Sequence, residues 1–227
     1  MRGVTWYLAD WWAYSRLQNA ERLRFIESHP QLHDRSDTTP YDRHYFFLSG
    51  WAMRRIASNR PSRHVDVASL CLFVNMLSAI VPVAFVEFRP LAVKLAGMDS
   101  LAGSLLALPF QDNSVCSLSC LHAAEHVGLG RYGDPLDPLG TRKAARELAR
   151  VMAPGGHLYF AVPVGRSHVC FNAHRVHDPQ AIIEYFADLE LREFSAVGDD
   201  GIYYEHVTPA KFNNSDNACG MFLFQKI

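Results

Sequence analysis

A chain of 227 residues is long enough for one α/β domain with a sizeable core and a modest extension. Its 22 basic and 23 acidic side chains leave a formal net charge of −1, and no basic block interleaves with aromatics, so nothing in the balance favours nucleic acid or an anionic membrane. A hydrophobic share of 49% beside 20% charge suits an ordinary globular protein, and five scattered cysteines (Cys71, Cys116, Cys120, Cys170, Cys219) read as free thiols in a reducing, cytoplasmic setting.

Residues 1–60 read as a helical extension to a main domain over 61–227. Trp6, Tyr7, Trp11, Trp12 and Tyr14 crowd its start, and Leu17, Leu23, Phe25 and Ile26 continue at mixed helical spacing. Asp10 and Arg16 interrupt the run, so it is not expected to be a signal peptide. Its aromatic face suits packing on the main domain or on a second subunit of a homodimer. An interfacial membrane anchor, with Arg16, Arg22 and Arg24 meeting lipid phosphate, is the weaker reading, because Asp10, Glu21 and Glu27 dilute that face. Pro30–Pro40 is a polar loop, and Tyr41–Ile56 resumes a helix with Tyr45, Leu48, Trp51, Ala52 and Ile56 on one face.

The main domain opens with a strand at His64–Ser69 and helical spacing over Leu70–Ile80; the polar residues within Val65–Val86 make it two elements rather than a membrane span. Phe85–Pro90 is a second strand with Glu87 at its carboxyl end, where an acid can accept both hydroxyls of a ribose, or pair with Arg89 instead. Ser100–Leu108 is a third strand with its exit, and Val115–Leu121 alternates small, polar and apolar residues as a buried strand does. Thr141 can cap a helix carrying Ala144, Ala145, Leu148 and Val151; Pro154-Gly155-Gly156 stops it, and Leu158–Val164 is the next strand. Together these make a right-handed crossover unit of a parallel sheet.

Two polar segments fall at the carboxyl edge, where α/β sheets bind ligands. Gly128–Gly140 is an ordered insertion whose Arg131, Tyr132 and Asp134 suit a sugar or phosphate, and Gly165–Pro179 adds Asn172, His174 and Arg175 as further acceptor contacts. His122, Glu125 and His126 spell a zinc-protease string. The preceding residues belong to a strand, however, and no second acidic ligand follows at helical spacing, so no metal is expected. Asp178-Pro179 caps a helix over Gln180–Phe186, and Glu190–Val197 and Met221–Ile227 form an antiparallel ending.

The words LPFQDNSVCSLSCLHAAEHV and ELARVMAPGGHLYFAVP resemble the second half of a class I S-adenosylmethionine-dependent methyltransferase. SLLALPFQDNSV, LHAAEHVGLGRYGDPLDPLGT, LYFAVPVG, CFNAHRVHDPQ and EFSAVGD are similar to one methyltransferase-like family without a settled activity, some of whose members lie beside polysaccharide-assembly genes. The resemblance runs from His64 to Gly201, with a weaker echo over Tyr41–Ile56.

It implies an α/β, Rossmann-like class I methyltransferase fold, a mostly parallel seven-stranded sheet with an antiparallel end. It further implies S-adenosylmethionine as cofactor, held by Asp66, Ala68 and Ser69 in the first loop, Glu87 on the ribose, and Ser104 and Leu105 at the adenine. His122 and His174 become the candidate catalytic histidines, and the lead-in helix brings Asp42, Arg43, His44 and Tyr45 toward the site. The implied reaction is O-methylation of a small molecule or a saccharide precursor. The chain departs from the pattern at Glu87, where the family more often has Asp, and more sharply in the first loop: Asp66-Val67-Ala68-Ser69-Leu70-Cys71 has no glycine, and Leu70 and Phe73 add bulk. A non-catalytic protein of the same fold, binding a ligand or partner, is therefore the alternative. A cleft left open between Ala68 and Glu87 separates the two.

Overall fold

The computed structural model describes residues 2–227. The chain divides into two compact units, one ending at Asp42 and the other spanning Arg43–Ile227. In the first, helix α1 (Arg2–Tyr14) is followed by irregular chain and a single 3-10 turn, Phe25–Glu27. The helix expected through Ile26 stops early, where Ser15 Oγ bonds the Trp12 carbonyl and Asn19 turns to φ 64°. Within this unit Arg35 pairs with Asp10 at 2.7 Å and covers the Trp6 ring at 4.3 Å. Among the described residues no helix is long and apolar enough to cross a membrane.

The second unit is built on strands β1 (His64–Val67), β2 (Val83–Glu87), β3 (Met98–Ala102), β4 (Val115–Leu121), β5 (Met152–Val164), β8 (Leu189–Val197), β9 (Tyr203–Tyr204) and β10 (Ala218–Lys226), with the hairpin β6 (His168–Cys170) and β7 (His174–Val176) apart from them. The sheet order is β3-β2-β1-β4-β5-β10-β8-β9. The first five strands run parallel, and β10 runs antiparallel to both of its neighbours, β5 and β8, so the expected seven strands are present, with the two-residue β9 added at the edge. The order reverses direction at β1 and β4, and their carboxyl ends open the crevice in which such sheets bind ligands.

Strand alternation assigns each residue to a layer. On β2, Ala84 and Val86 join the core beneath helices α4 (Gly140–Val151) and α5 (Pro179–Tyr185), whereas Val83 and Phe85 join the core beneath α2 (Arg43–Asn59) and α3 (Cys71–Ser78). Helix α2 buries Leu48, Trp51, Ala52 and Ile56; Trp51 Nε1 donates to Glu193 Oε1 at 2.9 Å, and Arg55 clasps the same carboxylate. Asp178 caps α5 as expected, accepting from the Gln180 amide at 2.7 Å. Thr141 is no cap: it lies inside α4, its hydroxyl buried on the Ala124 carbonyl at 3.1 Å.

Candidate functional site

A cavity of about 290 Å³ opens at the carboxyl ends of β1, β2 and β4. One wall is Val67 and Ala68, the facing wall Val86, Glu87 and Gly103–Leu106, and the rim His122, His126, Tyr132 and Asp134. Gly103 lets the exit of β3 close against β2 within the second wall, because a Cβ there would lie 2.5 Å from Val86 Cγ1 and 3.1 Å from Pro109 Cδ.

The glycine-free loop keeps a glycine-like backbone. Ala68 stands at φ +58°, and its amide donates to the Val86 carbonyl at 2.9 Å. Leu70 and Phe73 are absent from the cavity wall: Leu70 is partly exposed and Phe73 is buried beneath α3. The cleft between Ala68 and Glu87 is therefore open.

Four of the six residues expected at the cofactor, Ala68, Glu87, Ser104 and Leu105, line the cavity together. Glu87 is steadied through Oε1, which accepts from the Phe88 amide at 2.9 Å, and no ion pair among the described residues joins it to Arg89. Asp66 and Ser69 stand behind the wall instead. Asp66 accepts from the Ser119 hydroxyl and, at 3.1 Å, from the Ser69 amide, while Ser69 Oγ accepts from the Leu121 amide at 3.0 Å. Burial lifts the Asp66 carboxyl to about 6, against those hydrogen bonds and with the Glu87 charge adding to the rise.

His122 ends β4 at φ +54° with both ring nitrogens engaged: Nδ1 lies 2.8 Å from Glu125 Oε1 and Nε2 lies 3.1 Å from Cys219 Sγ. Burial opposes a charge on this ring, but its interactions with Cys219 and Glu125 outweigh it and hold His122 above the ordinary histidine range. Its ring lines the cavity.

His126 lines the cavity directly. Its Nδ1 lies 2.6 Å from the Ala173 carbonyl and must donate there, so in the neutral ring Nε2 carries the lone pair. The signal was the H-x-x-E-H string itself, because a 3-10 turn at Ala124–His126 places Glu125 inward and His126 on the rim.

Of the acceptor candidates, Tyr132 and Asp134 line the cavity. Tyr132 has two guanidinium groups near its ring, Arg89 at 5.3 Å and Arg131 at 5.2 Å from the ring centre. Asp134 folds back on the insertion, accepting from the Gly128 amide at 2.6 Å; these amide bonds, against burial, hold its carboxyl below the usual range. Arg175 is a strut rather than a lining residue: buried beside the insertion, it donates to the carbonyls of Val127 at 2.5 Å and Asp137 at 2.8 Å. Asn172 and His174 belong to the β6–β7 hairpin outside the cavity wall; burial lowers the His174 pKa.

The lining suits a nucleoside-bearing cofactor. An acid stands at the end of β2, apolar walls flank it, and the volume is near the lower end of small-molecule sites, which span roughly 300–1,000 Å³. S-adenosylmethionine, in particular, would meet Glu87 with its ribose and Leu105 with its adenine.

Residues 112–201 match the family described as "Caenorhabditis protein of unknown function, DUF268". No curated protein matches the chain. Among solved structures, the N-methyltransferase NodS from Bradyrhizobium japonicum WM9 in complex with S-adenosyl-L-homocysteine is similar at TM-score 0.56 and 13% identity, over 87% of this chain and 91% of that one. The [4+2]-cyclase SpnF is similar at TM-score 0.59 and 14% identity, over 79% and 80% of the two chains. The PH0226 protein from Pyrococcus horikoshii OT3 is similar at TM-score 0.56 and 11% identity, over 84% and 93%. At these identities the likeness shows the fold, that of class I S-adenosylmethionine-dependent methyltransferases, and the reaction has to be argued from the cavity.

Proposed function

We propose that this protein binds S-adenosylmethionine in the cavity between Ala68 and Glu87 and transfers its methyl group to an oxygen of a small hydroxylated acceptor, such as a saccharide. The observation that carries the reading is the open cleft itself: Ala68 reproduces the backbone of a glycine loop, and no side chain fills the space facing Glu87. When bound, the cofactor supplies an electrophilic methyl group on a positively charged sulfur.

The chain's own groups supply the rest. Glu87 accepts from the ribose hydroxyls, and Ser104 and Leu105 receive the adenine. Tyr132 and Arg131, with Arg89, offer an aromatic face and cations for an acceptor at the rim. A hydroxyl that attacks a methyl carbon must lose its proton, and His126 Nε2, 3.8 Å from the Glu125 carboxylate beside the cavity, is the imidazole position that takes it.

Calorimetric titration with S-adenosylmethionine and S-adenosylhomocysteine, beside a Glu87→Ala control, tests the reading. Micromolar binding that the control loses supports it. No binding at millimolar ligand sinks it, leaving a methyltransferase fold used to bind another ligand or a partner.

A further inference from the structure

Behind His122, on the side away from β1, three ligand-type side chains from distant parts of the chain converge. His44 of α2, His122 at the end of β4 and Cys219 at the start of β10 each present one ligand atom, and these atoms lie within 4.8 Å of one another. The His44 ring lies over the His122 ring, centroids 5.7 Å apart and planes inclined by 17°. The buried carboxylate of Glu125 holds His122 Nδ1 at 2.8 Å through Oε1, and its Oε2 has no hydrogen-bond partner among the described residues.

We infer that His44, His122 and Cys219 form a site for one borderline-soft divalent cation, zinc by chemistry. One thiolate and two imidazoles are a zinc donor set, and three protein ligands leave the fourth tetrahedral position open. Bond lengths of about 2.3 Å to sulfur and 2.0–2.1 Å to nitrogen set tetrahedral edges of roughly 3.3–3.6 Å. The His122 Nε2 to Cys219 Sγ separation of 3.1 Å is within a few tenths of that edge. His44 stands in the first turn of α2, partly buried, and its ligand atom already lies within 4.8 Å of those of His122 and Cys219.

Two further observations point the same way. Glu125 fixes the tautomer of His122 that leaves Nε2 as the ligand atom, the arrangement by which carboxylates orient zinc-bound histidines. His122 is also held at φ +54°, a conformation costly for a residue with a Cβ and retained mainly where function demands it. Cys219 is fully buried, with its sulfur set 3.1 Å from His122 Nε2. His122 also lines the cavity, so the ion would stand beside it and could lower the pKa of an acceptor group bound at its open position. Spacing rules could not find the site, because its ligands lie at positions 44, 122 and 219.

The inference is independent of the cofactor reading and is tested without turnover, by titrating the full-length, metal-stripped protein with cobalt(II) as a zinc surrogate. One equivalent should bind with tetrahedral visible bands and a near-ultraviolet thiolate-to-cobalt charge-transfer band, and zinc should displace it. Cys219→Ser should abolish the charge-transfer band. His44→Gln, a change on a partly exposed helix surface that leaves the buried strand intact, should weaken cobalt binding by about tenfold or more. Absence of the band in the unaltered protein overturns the inference, as does a band that survives Cys219→Ser or an affinity unchanged in His44→Gln.

Discussion

Asp66 and His64, on the same face of β1, share one hydroxyl: Ser119 Oγ donates to Asp66 and lies 2.8 Å from His64 Nε2. Because the only proton of Ser119 goes to the carboxylate, His64 donates from Nε2 and accepts at Nδ1 from Ser117, 2.7 Å away. Both side chains are fully buried. Burial lifts the Asp66 carboxyl to about 6 and presses the His64 imidazole down to about 3. The acid that the fold family's pattern would place on the cofactor is here part of the scaffold that shapes the Ala68 loop from behind.

These two groups pull stability in opposite directions with pH. The raised carboxyl contributes fully below about pH 4 and loses its contribution as pH climbs through about 6. The depressed imidazole contributes fully above about pH 6.5 and loses its contribution as pH falls toward about 3. Between pH 4 and 6 the slopes largely offset each other, each amounting to the order of 3 kcal/mol. Asp66→Asn should therefore make the protein lose stability more steeply on acidification from pH 6 to 4, and His64→Gln should make it gain. Urea midpoints at three pH values measure this; parallel pH profiles in all three proteins would refute the coupling.

Helix α2 should unfold with the sheet. Trp51 is completely buried, and Arg55 bonds Glu193 at 2.6 Å with both side chains largely shielded from solvent. Trp51→Ala should cost about 3–5 kcal/mol through the cavity it leaves. Arg55→Ala should cost a similar amount, because Glu193 stays buried without its cation. Chemical denaturation provides the number, and a loss under about 1 kcal/mol in both would detach α2 from the cooperative unit.

The sheet was legible because its cues are local. Apolar alternation in Val115–Leu121, helical spacing around Leu148 and the Asp178-Pro179 cap each depend on near neighbours, and each stands where expected. The cavity was half legible. Glu87, Ser104 and Leu105 follow from strand ends, whereas strand parity turns Asp66 to the buried face opposite Val65 and Val67. Arg175 looked like an acceptor contact because a cation in a polar segment usually is one; its partners, two backbone carbonyls some 40 residues earlier, leave no mark in sequence. The early end of α1 and the convergence of His44 with Cys219 are likewise products of tertiary placement, invisible to spacing.

Arg175 should control the order of the insertion. A buried guanidinium that donates to Val127 and Asp137 ties both ends of the Gly128–Gly140 segment, and Gly128 is needed there because a Cβ would lie 2.2 Å from the Asp137 carbonyl oxygen. Arg175→Met keeps the apolar stem but orphans the Val127 carbonyl and leaves the Asp137 carbonyl with the Gly140 amide at 3.1 Å alone, at a cost of about 1–3 kcal/mol. Limited proteolysis should then cut faster within the insertion than elsewhere in the chain. An unchanged cleavage pattern would show that Asp134 and the glycines hold the segment by themselves.

Ala68 gives the sharpest test of the cavity, because one position controls strain and access together. An alanine at φ +58° bears a left-handed penalty of roughly 1–2 kcal/mol, which glycine escapes. Glycine's freer unfolded chain returns about 0.4–1 kcal/mol of that gain. Ala68→Gly should therefore stabilise the protein by about 0.5–1 kcal/mol, a rise of about 1–4 °C in melting temperature for a chain of this size. It should also leave S-adenosylhomocysteine binding equal or tighter. Ala68→Val adds β-branching at positive φ and methyl groups on the wall facing Glu87, so it should lower both stability and binding. A glycine variant less stable than the parent would mean that this residue is not left-handed in solution. A valine variant that keeps full affinity would move the ligand out of this cleft while leaving the fold in place.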